Sequence, residues 1–377
     1  TLELALKRAD IVILSGGLGP TEDDLTKETA AEVLGKTLIM DEHWREALTT
    51  FFAKRNMKLT ENNWKQAMVP EGCIVVDNKN GTAPGIIMEE KGKHVILLPG
   101  PPGEMIPMFE ESMKPYLLKL NPGKIVSQMV KVCGIGESMA ETMILDLIDQ
   151  QTNPTIATYA KTGEVHLRVT AKADSEKEAK KLLKPMVKEL KERFGAKIYS
   201  TNENASLESC VIDLLKENDL TLTTAESCTG GLFTARIVNV PGASEVLKEG
   251  FITYSNKAKR KYLGVKKSSL MKYGAVSERV AEEMARGACF FTKADVCVSI
   301  TGIAGPDGET EGKPVGLVYI GCCICGRTTV REYRFSGERM KIRESSVAAA
   351  LTLLRECLLG YFSEVTFGSG EKRSKKK

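Results

Sequence analysis

The sequence lacks the features of a secreted or membrane-spanning protein. It contains no signal peptide, and no apolar run reaches the roughly 18 residues of a membrane-spanning helix. With 377 residues, 42% of them hydrophobic and 6% aromatic, its composition is that of an ordinary soluble globular protein of two or three domains. We therefore expect a cytoplasmic protein that does not contact a membrane.

The sequence also lacks the patterns of metal and disulfide sites. Its three histidines lie far apart and predict no zinc site, and ten cysteines in a chain of this length do not form a disulfide framework. Most cysteines sit in apolar runs, which indicates buried free thiols in a reducing cytosol. Cys322 and Cys325 have C-x-x-C spacing, but positions i and i+3 of the strand predicted over 315–325 face opposite sides. We expect neither a shared metal nor a redox pair there.

The sequence before the C-terminal tail also lacks the excess of basic residues that would favour binding of nucleic acid. Residues 368–377 carry five basic side chains and one acid, and they account for the whole net charge of +4. We expect residues 363–377 to form a disordered basic tail. Residues 121–202 contain no Gly-x-x-Gly loop of the kind with which a KH module clamps RNA. Nucleic acid is therefore not an expected partner.

Patterns along the chain predict three folded domains. Residues 1–120 alternate strand and helix patterns, residues 121–202 read as a small KH-like α+β unit, and residues 203–362 return to the alternation. Alternating strands and helices indicate parallel sheets covered by helices. The predicted fold class is α/β, with two three-layer α/β domains of mostly parallel sheets joined by the small α+β domain.

A glycine-rich loop in residues 15–26 follows one predicted strand and precedes a predicted helix. Gly16, Gly17 and Gly19 would let backbone N–H groups approach a phosphate near the positive end of the helix dipole. Asp23 and Asp24 could hold Mg²⁺ or a similar hard cation against a pyrophosphate. The alternative is a plain capped helix start, where the dipole favours acidic residues.

A serine occupies a similar junction in TAESCTGG, residues 224–231. The apolar run 220–225 predicts a strand, and residues 232–240 have a helical pattern. Ligands bind at this end of the strands in open α/β sheets, and a helix N-terminus offers N–H groups to a developing negative charge. Ser227 is therefore a candidate nucleophile. The alternative is an N-cap with glycines for tight packing.

Three further polar segments are candidates for the same site. Residues 299–308 close another predicted strand and form either a ligand-facing loop or a long turn. Residues 336–339 precede the last predicted helix and either present Arg339 to a phosphate or cap the helix. Residues 254–260 contain possible bases, because a lysine of lowered pKa can activate a serine when no histidine is present. The spacing does not choose among Lys257, Lys259 and Arg260.

These segments together resemble the CinA family. The C-terminal resemblance covers nearly all of residues 205–360 and rests on TAESCTGG (224–231), GFITYSNKAK (250–259), GAVSERVAEEMARGA (274–288), SITGIAGPDG (299–308), KPVGLVYIG (313–321) and FSGER (335–339). The N-terminal part resembles the molybdopterin-binding-like domain of the same family through SGGLGPTEDDLT (15–26), NGTAPG (80–85) and LPGPPGEM (98–105).

The C-terminal resemblance implies a nicotinamide-nucleotide amidase. Such an enzyme hydrolyses the carboxamide of nicotinamide mononucleotide to nicotinate mononucleotide and ammonia, without a cofactor. The resemblance implies Ser227 as the nucleophile, assisted by Lys259 and Tyr254. The residues expected to bind the substrate or its oxyanion are Thr229, Gly230, Gly231, Thr301, Gly302, Gly305 and Arg339.

The N-terminal resemblance implies a second site. In some relatives this domain cleaves ADP-ribose with a divalent metal (Mg, Mn or Co) and K⁺. Asp23 and Asp24 would then hold the metal. The residues expected to bind the nucleotide are Gly16, Gly17, Gly19, Thr21, Gly100, Pro101 and Glu104. Family members begin with an extra strand–helix unit that this sequence does not carry, so we expect the sheet of this domain to lack a strand.

The expected partners are small nucleotide substrates and a second copy of the chain in a homodimer. The alternative function is a non-catalytic adaptor or nucleotide-binding protein, because the family is named for competence and DNA damage. Ser227 would then serve only as a helix cap. A third possibility is a pyrophosphatase whose amidase domain is silent.

Overall fold

The computed structural model describes residues 1–121 and 123–368, with side chains as far as residue 363. The chain divides into two compact units, Thr1–Gly123 and Lys124–Lys377. The strands of the first unit are β1 (Ile11–Ser15), β2 (Leu38–Met40), β3 (Met68–Pro70), β4 (Ile74–Val76), β5 (Gly85–Glu90) and β6 (Lys93–Leu98). Its helices are α1 (Leu2–Arg8), α2 (Thr26–Val33), α3 (Glu42–Lys54), α4 (Pro102–Met108) and α5 (Lys114–Leu120).

The first unit is built on a four-stranded sheet with the order β1-β6-β5-β4. Only β1 and β6 pair in parallel, whereas β6 with β5 and β5 with β4 are antiparallel. Apolar side chains from the two faces of the sheet enter two separate clusters. One contains Leu2 and Ala30 from α1 and α2, and the other contains Met108 from α4. The sheet is thus covered by helices on both faces.

The second unit begins with an antiparallel sheet of the order β10-β7-β9-β8. Its elements are β7 (Lys124–Cys133), α6 (Glu137–Thr142), α7 (Leu145–Asp149), β8 (Thr155–Lys161), β9 (Glu164–Ala173), α8 (Glu176–Phe194) and β10 (Ile198–Ser200). Helix α8 is capped by Ser175, whose side chain accepts a hydrogen bond from Glu178 N, and it buries Leu183, Val187 and Leu190 against the sheet.

The rest of the second unit surrounds a five-stranded sheet with the order β12-β11-β13-β14-β15. Its strands are β11 (Leu222–Glu226), β12 (Leu247–Ile252), β13 (Val296–Gly302), β14 (Leu317–Ile324) and β15 (Arg327–Arg334). Its helices are α9 (Leu207–Glu217), α10 (Leu232–Val238), α11 (Asn256–Leu263), α12 (Lys267–Tyr273), α13 (Glu278–Thr292) and α14 (Arg339–Gly368). Helices α9, α10 and α14 cover one face, and α11 to α13 cover the other.

The predicted α/β class is confirmed, but the prediction of mostly parallel sheets is wrong. In the five-stranded sheet β12, β11 and β13 are parallel, whereas β13, β14 and β15 are antiparallel. For two of the antiparallel pairs the reason lies in the turns. Cys325 and Gly326 join β14 to β15 with φ of 48° and 83°, and Lys91 and Gly92 join β5 to β6 with φ of 51° and 74°. Two-residue turns of this kind connect antiparallel strands only.

Helix α14 differs from two expectations. Over Arg339–Ser363 this helix is long and apolar enough to span a membrane, because an 18-residue stretch of it has a mean hydropathy of 1.2. However, 56% of that stretch is buried inside the protein. Val347, Leu351 and Leu354 pack in the core, so these apolar residues belong to a core helix of the fold. The helix also continues to Gly368, so the predicted start of the tail at residue 363 is wrong. Residues 369–377 of that predicted tail lie outside the described residues.

One glycine sets how closely α11 and α13 approach. A Cβ placed on Gly287 of α13 would lie 1.8 Å from the carbonyl oxygen of Leu263 in α11. We expect Gly287→Ala to lower the free energy of unfolding by about 1–3 kcal/mol, because a backbone carbonyl cannot rotate away from an overpacked atom. Urea unfolding followed by circular dichroism measures this loss.

Gly360→Ala in α14 is the matched control. Nothing lies within 4 Å of the Cβ that this change adds, and alanine in a helix interior is favoured over glycine by up to about 1 kcal/mol. Equal effects of the two substitutions would contradict the close approach of α11 to α13.

Candidate active site

The structure places Ser227 on the turn between β11 and α10. All five residues of β11 are buried, since the strand lies between two parallel neighbours and under helices on both faces. Ser227 N donates to the carbonyl of Ile300 in β13 at 2.9 Å, which fixes the first residue after the strand. The chain then turns through Gly230 and Gly231, with φ of 61° and 95°, into α10. This left-handed conformation favours glycine.

Glu226 holds this turn from inside. Its side chain is fully buried, and its carboxylate accepts hydrogen bonds from Gly231 N at 3.0 Å, Phe233 N at 3.1 Å and Thr234 N at 2.8 Å. The Thr234 hydroxyl donates to it as well, at 2.6 Å. Glu226 therefore satisfies the open N–H groups of the first turn of α10, where a negative charge is favoured.

The oxyanion donors expected at Gly230 and Gly231 are consequently occupied. Gly231 N donates to Glu226, and Gly230 N donates to the carbonyl of Ser227 at 3.1 Å. Their N–H groups close the turn and do not face a substrate. Among the described residues, the N–H groups of Cys228 and Thr229 donate to no oxygen atom. Both of these amides lie against the thiol of Cys228, which is a weak acceptor.

A buried lysine reaches the serine. Lys259 is 1% exposed, and its Nζ lies 2.8 Å from Ser227 Oγ. The same Nζ donates to the carbonyls of Thr253 at 2.8 Å and Tyr254 at 3.4 Å. Of the three basic residues left open by the sequence, Lys257 and Arg260 are exposed, and Lys259 is the one in contact with Ser227.

Local structure explains how Lys259 arrives there. Ser255 caps α11, with its side chain accepting from Ala258 N at 3.1 Å, and Lys259 follows one turn later. Thr253 N donates to the carbonyl of Glu226 at 2.8 Å, so the segment that leads into α11 continues the pairing of β12 with β11. The serine and the lysine are thus held by adjacent parallel strands.

Burial changes the charge state of this lysine. Loss of solvent lowers the pKa of Lys259 from 10.5 to about 8, and the neighbouring Cys228 opposes this shift. No ion pair among the described residues involves Lys259, so no carboxylate restores the usual pKa of its ammonium. A substantial fraction of the amine is therefore neutral near pH 8.

Two arginines at the start of α14 border the site. Arg339 donates to the carbonyl of Gly305 at 2.5 Å and to the hydroxyl of Tyr254 at 3.2 Å. Arg343, one turn later, donates to the carbonyl of Thr229 at 2.7 Å, and its Nε is buried without a partner. In the described residues neither arginine pairs with a carboxylate. Sequence reasoning missed Arg343, although its i+4 spacing from Arg339 places both on one face of a helix.

The remaining predicted residues divide between the site and the packing around it. The Tyr254 side chain is exposed, and its hydroxyl contacts Arg339 rather than Ser227 or Lys259. Gly305 reaches the site through the carbonyl that binds Arg339. Thr301 is buried, and its hydroxyl donates to Ala275 O at 2.9 Å. A Cβ on Gly302 would collide with the backbone and side chain of β14. Thr301 and Gly302 are therefore packing residues.

In the first unit the structure brings the two predicted glycine loops together. Gly16 N donates to Leu98 O at 2.9 Å, and a Cβ on Gly16 would lie 3.9 Å from the Cα of Gly100. Pro101 precedes the first turn of α4. Gly17 and Gly19 lie against Thr26 and Asp24, where a Cβ would collide with their side chains. Glu104 accepts from Asn78 Nδ2 at 2.7 Å and borders a cavity of about 730 Å³.

The predicted metal ligands are tied to Thr21. The Thr21 hydroxyl lies 2.6 Å from Asp23 Oδ1 and 2.5 Å from Asp24 Oδ2, and Thr21 N donates to Asp24 as well. Within the described residues no group of three His, Cys, Asp or Glu side chains could enclose a metal ion. Two carboxylates still fit Mg²⁺, which keeps several waters and takes other ligands from substrate phosphates. Such an ion would neutralise a pyrophosphate at this loop.

Comparisons with known proteins match all three parts of the chain. The CinA C-terminal domain matches residues 204–358, the KH domain of damage-inducible protein CinA matches residues 127–200, and a family described as a probable molybdopterin binding domain matches residues 1–119. A CinA-like protein of Dictyoglomus thermophilum is 52% identical over 358 residues, which are 95% of this chain and 87% of that protein. The chain belongs to the CinA family.

Two further proteins with related names are similar to this chain. A provisionally named competence-damage inducible protein of Clostridium acetobutylicum is 52% identical over 353 residues, covering 94% of this chain and 86% of that protein. A crystal structure of the competence/damage inducible protein CihA from Agrobacterium tumefaciens is 40% identical, with a TM-score of 0.40, and covers 41% of this chain and 93% of that chain. The names of these relatives state no chemical activity.

Proposed function

We propose that the C-terminal domain is a serine amidase that hydrolyses nicotinamide mononucleotide to nicotinate mononucleotide and ammonia. The observation that carries the proposal is the contact of 2.8 Å between Lys259 Nζ and Ser227 Oγ in a buried setting. A helix cap needs no lysine, and burial of an unpaired ammonium is unfavourable. A serine used only as a cap, as in the adaptor alternative, gives no reason for this pair.

The carbonyls around Lys259 suit a general base. A neutral amine has two N–H bonds and one lone pair. The carbonyls of Thr253 and Tyr254 accept two hydrogen bonds from Nζ, so the lone pair of the neutral form is directed at the Ser227 hydroxyl. This orientation fixes which group takes the proton.

The reaction then follows from these groups. Neutral Lys259 takes the Ser227 proton while Oγ attacks the carboxamide carbon. The N–H groups of Cys228 and Thr229 stabilise the oxyanion, an effect of about 3–4 kcal/mol for each well-placed donor. The Lys259 ammonium returns its proton to the departing nitrogen, and ammonia leaves. Lys259 then deprotonates a water that hydrolyses the acyl-enzyme.

The charge around the serine favours an anionic substrate. Arg339 and Arg343 bind backbone carbonyls and a tyrosine hydroxyl in place of acids, so their positive charges are not neutralised by the chain. A guanidinium pair on one helix turn matches the fork geometry of a phosphate. The proposal assigns the phosphate of the mononucleotide to these arginines. The ADP-ribose pyrophosphatase activity, its metal ions and the homodimer stay predictions.

Ser227→Ala and Lys259→Met test the chemistry. We expect each to reduce ammonia release from nicotinamide mononucleotide by about a thousandfold or more, because each removes one member of a pair that acts as a unit. Lys257→Met, on the same helix but exposed, is the matched control and should leave the rate unchanged. Circular dichroism checks the fold of each variant. Near-normal ammonia release by either Ser227→Ala or Lys259→Met would refute the proposal.

Arg343→Met tests the phosphate assignment. Loss of a guanidinium that binds the phosphate should raise the KM for nicotinamide mononucleotide about tenfold or more, since hydrogen bonds to charged groups contribute about 1.5–3 kcal/mol. The weaker reaction of nicotinamide riboside, which has no phosphate, should change little. Arg334→Met, at an exposed arginine paired with Glu332, is the control. Equal losses on both substrates would contradict a phosphate contact and indicate a structural role.

A further inference from the structure

Two cysteines outside the serine site share one small cavity. Cys322 lies on β14 and is 1% exposed, and Cys357 lies on α14 and is half-buried. Cys357 packs against the apolar core cluster to which Cys322 belongs. Both line a cavity of about 270 Å³ that also includes Thr329, Arg331 and Glu356. The cavity gives a small molecule a route to thiols that are otherwise inside the fold.

The surroundings make the two thiols unequal. The neighbouring Cys322 thiol, the Thr329 hydroxyl and the positive charge of Arg331 lower the pKa of Cys357, against the effects of burial and of the Glu356 carboxylate. The neighbouring Cys357 thiol and complete burial raise the pKa of Cys322. Arg331 is held in place by Glu356, with Nη1 and Oε2 at 2.5 Å. Cys357 is therefore the more acidic of the two thiols and the one that more readily forms a thiolate.

Another thiol cluster in the same domain lacks these features. Cys289 packs against the apolar cluster on the other face of the sheet that contains Cys297 and Cys323. The neighbouring Cys297 thiol and burial raise the pKa of Cys289 to about 12. Cys325 is exposed in the turn after β14. Cys289 and Cys325 therefore serve as a buried and an exposed thiol with which the reactivity of Cys357 can be compared.

We propose that Cys357 and Cys322 are a modification site for peroxides, at which oxidation joins α14 to β14 by a disulfide bond. The Cys357 thiolate attacks one oxygen of hydrogen peroxide. The S–O bond forms, the O–O bond breaks, and the leaving hydroxide takes a proton to become water. The Cys322 sulfur then attacks the sulfenic acid, the S–S bond forms, and the hydroxyl leaves with the Cys322 proton as a second water. Two thiols and one peroxide give one disulfide and two waters.

This chemistry is independent of the amidase proposal, and it differs from the C-x-x-C reading of the sequence. Cys322 faces the core and contacts Cys357, whereas Cys325 lies in the turn. The relevant partner is thus 35 positions away in sequence, on a helix that only the fold brings to β14.

The test is a titration of the folded full chain with hydrogen peroxide, quenched with N-ethylmaleimide and read by mass spectrometry of peptides. We expect the loss of two of the ten thiols and one linked peptide that contains Cys322 and Cys357, reversed by dithiothreitol. Cys322→Ala should stop the reaction at a sulfenic acid on Cys357, which dimedone labels. Cys289→Ala should still lose two thiols, and Arg331→Met should slow the reaction severalfold.

Three results would overturn the proposal. These are Cys325 oxidised while Cys357 remains reduced, a linked peptide that joins other cysteines, and a Cys357→Ser variant that still loses two thiols. Circular dichroism before and after peroxide confirms that the reaction occurs in the folded chain. Should Cys322→Ala fail to fold, dimedone labelling of Cys357 in the unaltered chain at early times replaces it, and no labelling there counts against the proposal.

Discussion

The C-terminal domain is organised around one constraint, the burial of the Lys259 amine beside a serine. An amine out of water needs hydrogen-bond partners, and the chain supplies them from the strand end at Ser227 and the carbonyls before α11. These groups meet because β11 and β12 are parallel neighbours whose carboxyl ends lie at one edge of the sheet. Gly287 lets α11 lie close enough to α13 to exclude solvent.

A buried carboxylate next to the serine could have neutralised this lysine, and the fold prevents it. Glu226 precedes Ser227 directly, yet its oxygens accept hydrogen bonds from three backbone N–H groups and from the Thr234 hydroxyl. Successive side chains of an extended strand point to opposite sides, so Glu226 turns towards α10 while Ser227 turns towards Lys259. The separation keeps the negative charge on the helix terminus and leaves the amine without an ion-pair partner.

Some of this arrangement could be predicted from the sequence, and some could not. An apolar strand, two glycines and a helical pattern sufficed to locate Ser227, because these signals are local. Local signals could not choose Lys259, since its burial depends on how α11 packs on α13. The role of Glu226 was missed because the sequence pattern shows it only as the last residue of a strand. Its contact with the start of α10 depends on the conformation of the turn. Arg343 was missed because the packing of α14 on the core decides which face of this helix borders the site.

Sheet direction was the other limit. Apolar runs identify strands but carry no direction, so the alternation of strands and helices suggested mostly parallel sheets. Two of the antiparallel pairs come from two-residue turns, and Gly326 after Cys325 was the visible signal for one of them. The match to the CinA family covers all three parts of the chain, whereas the proposed chemistry depends on a few contacts around Ser227.

The pH dependence of ammonia release tests the central claim most directly. The account requires neutral Lys259, whose pKa burial lowers to about 8, so the base is lost as pH falls below that value. kcat/KM for nicotinamide mononucleotide should rise about tenfold per pH unit below pH 8 and level off above it. A rate that is independent of pH from 6 to 9.5, or one that falls as the amine loses its proton, would contradict a lysine base.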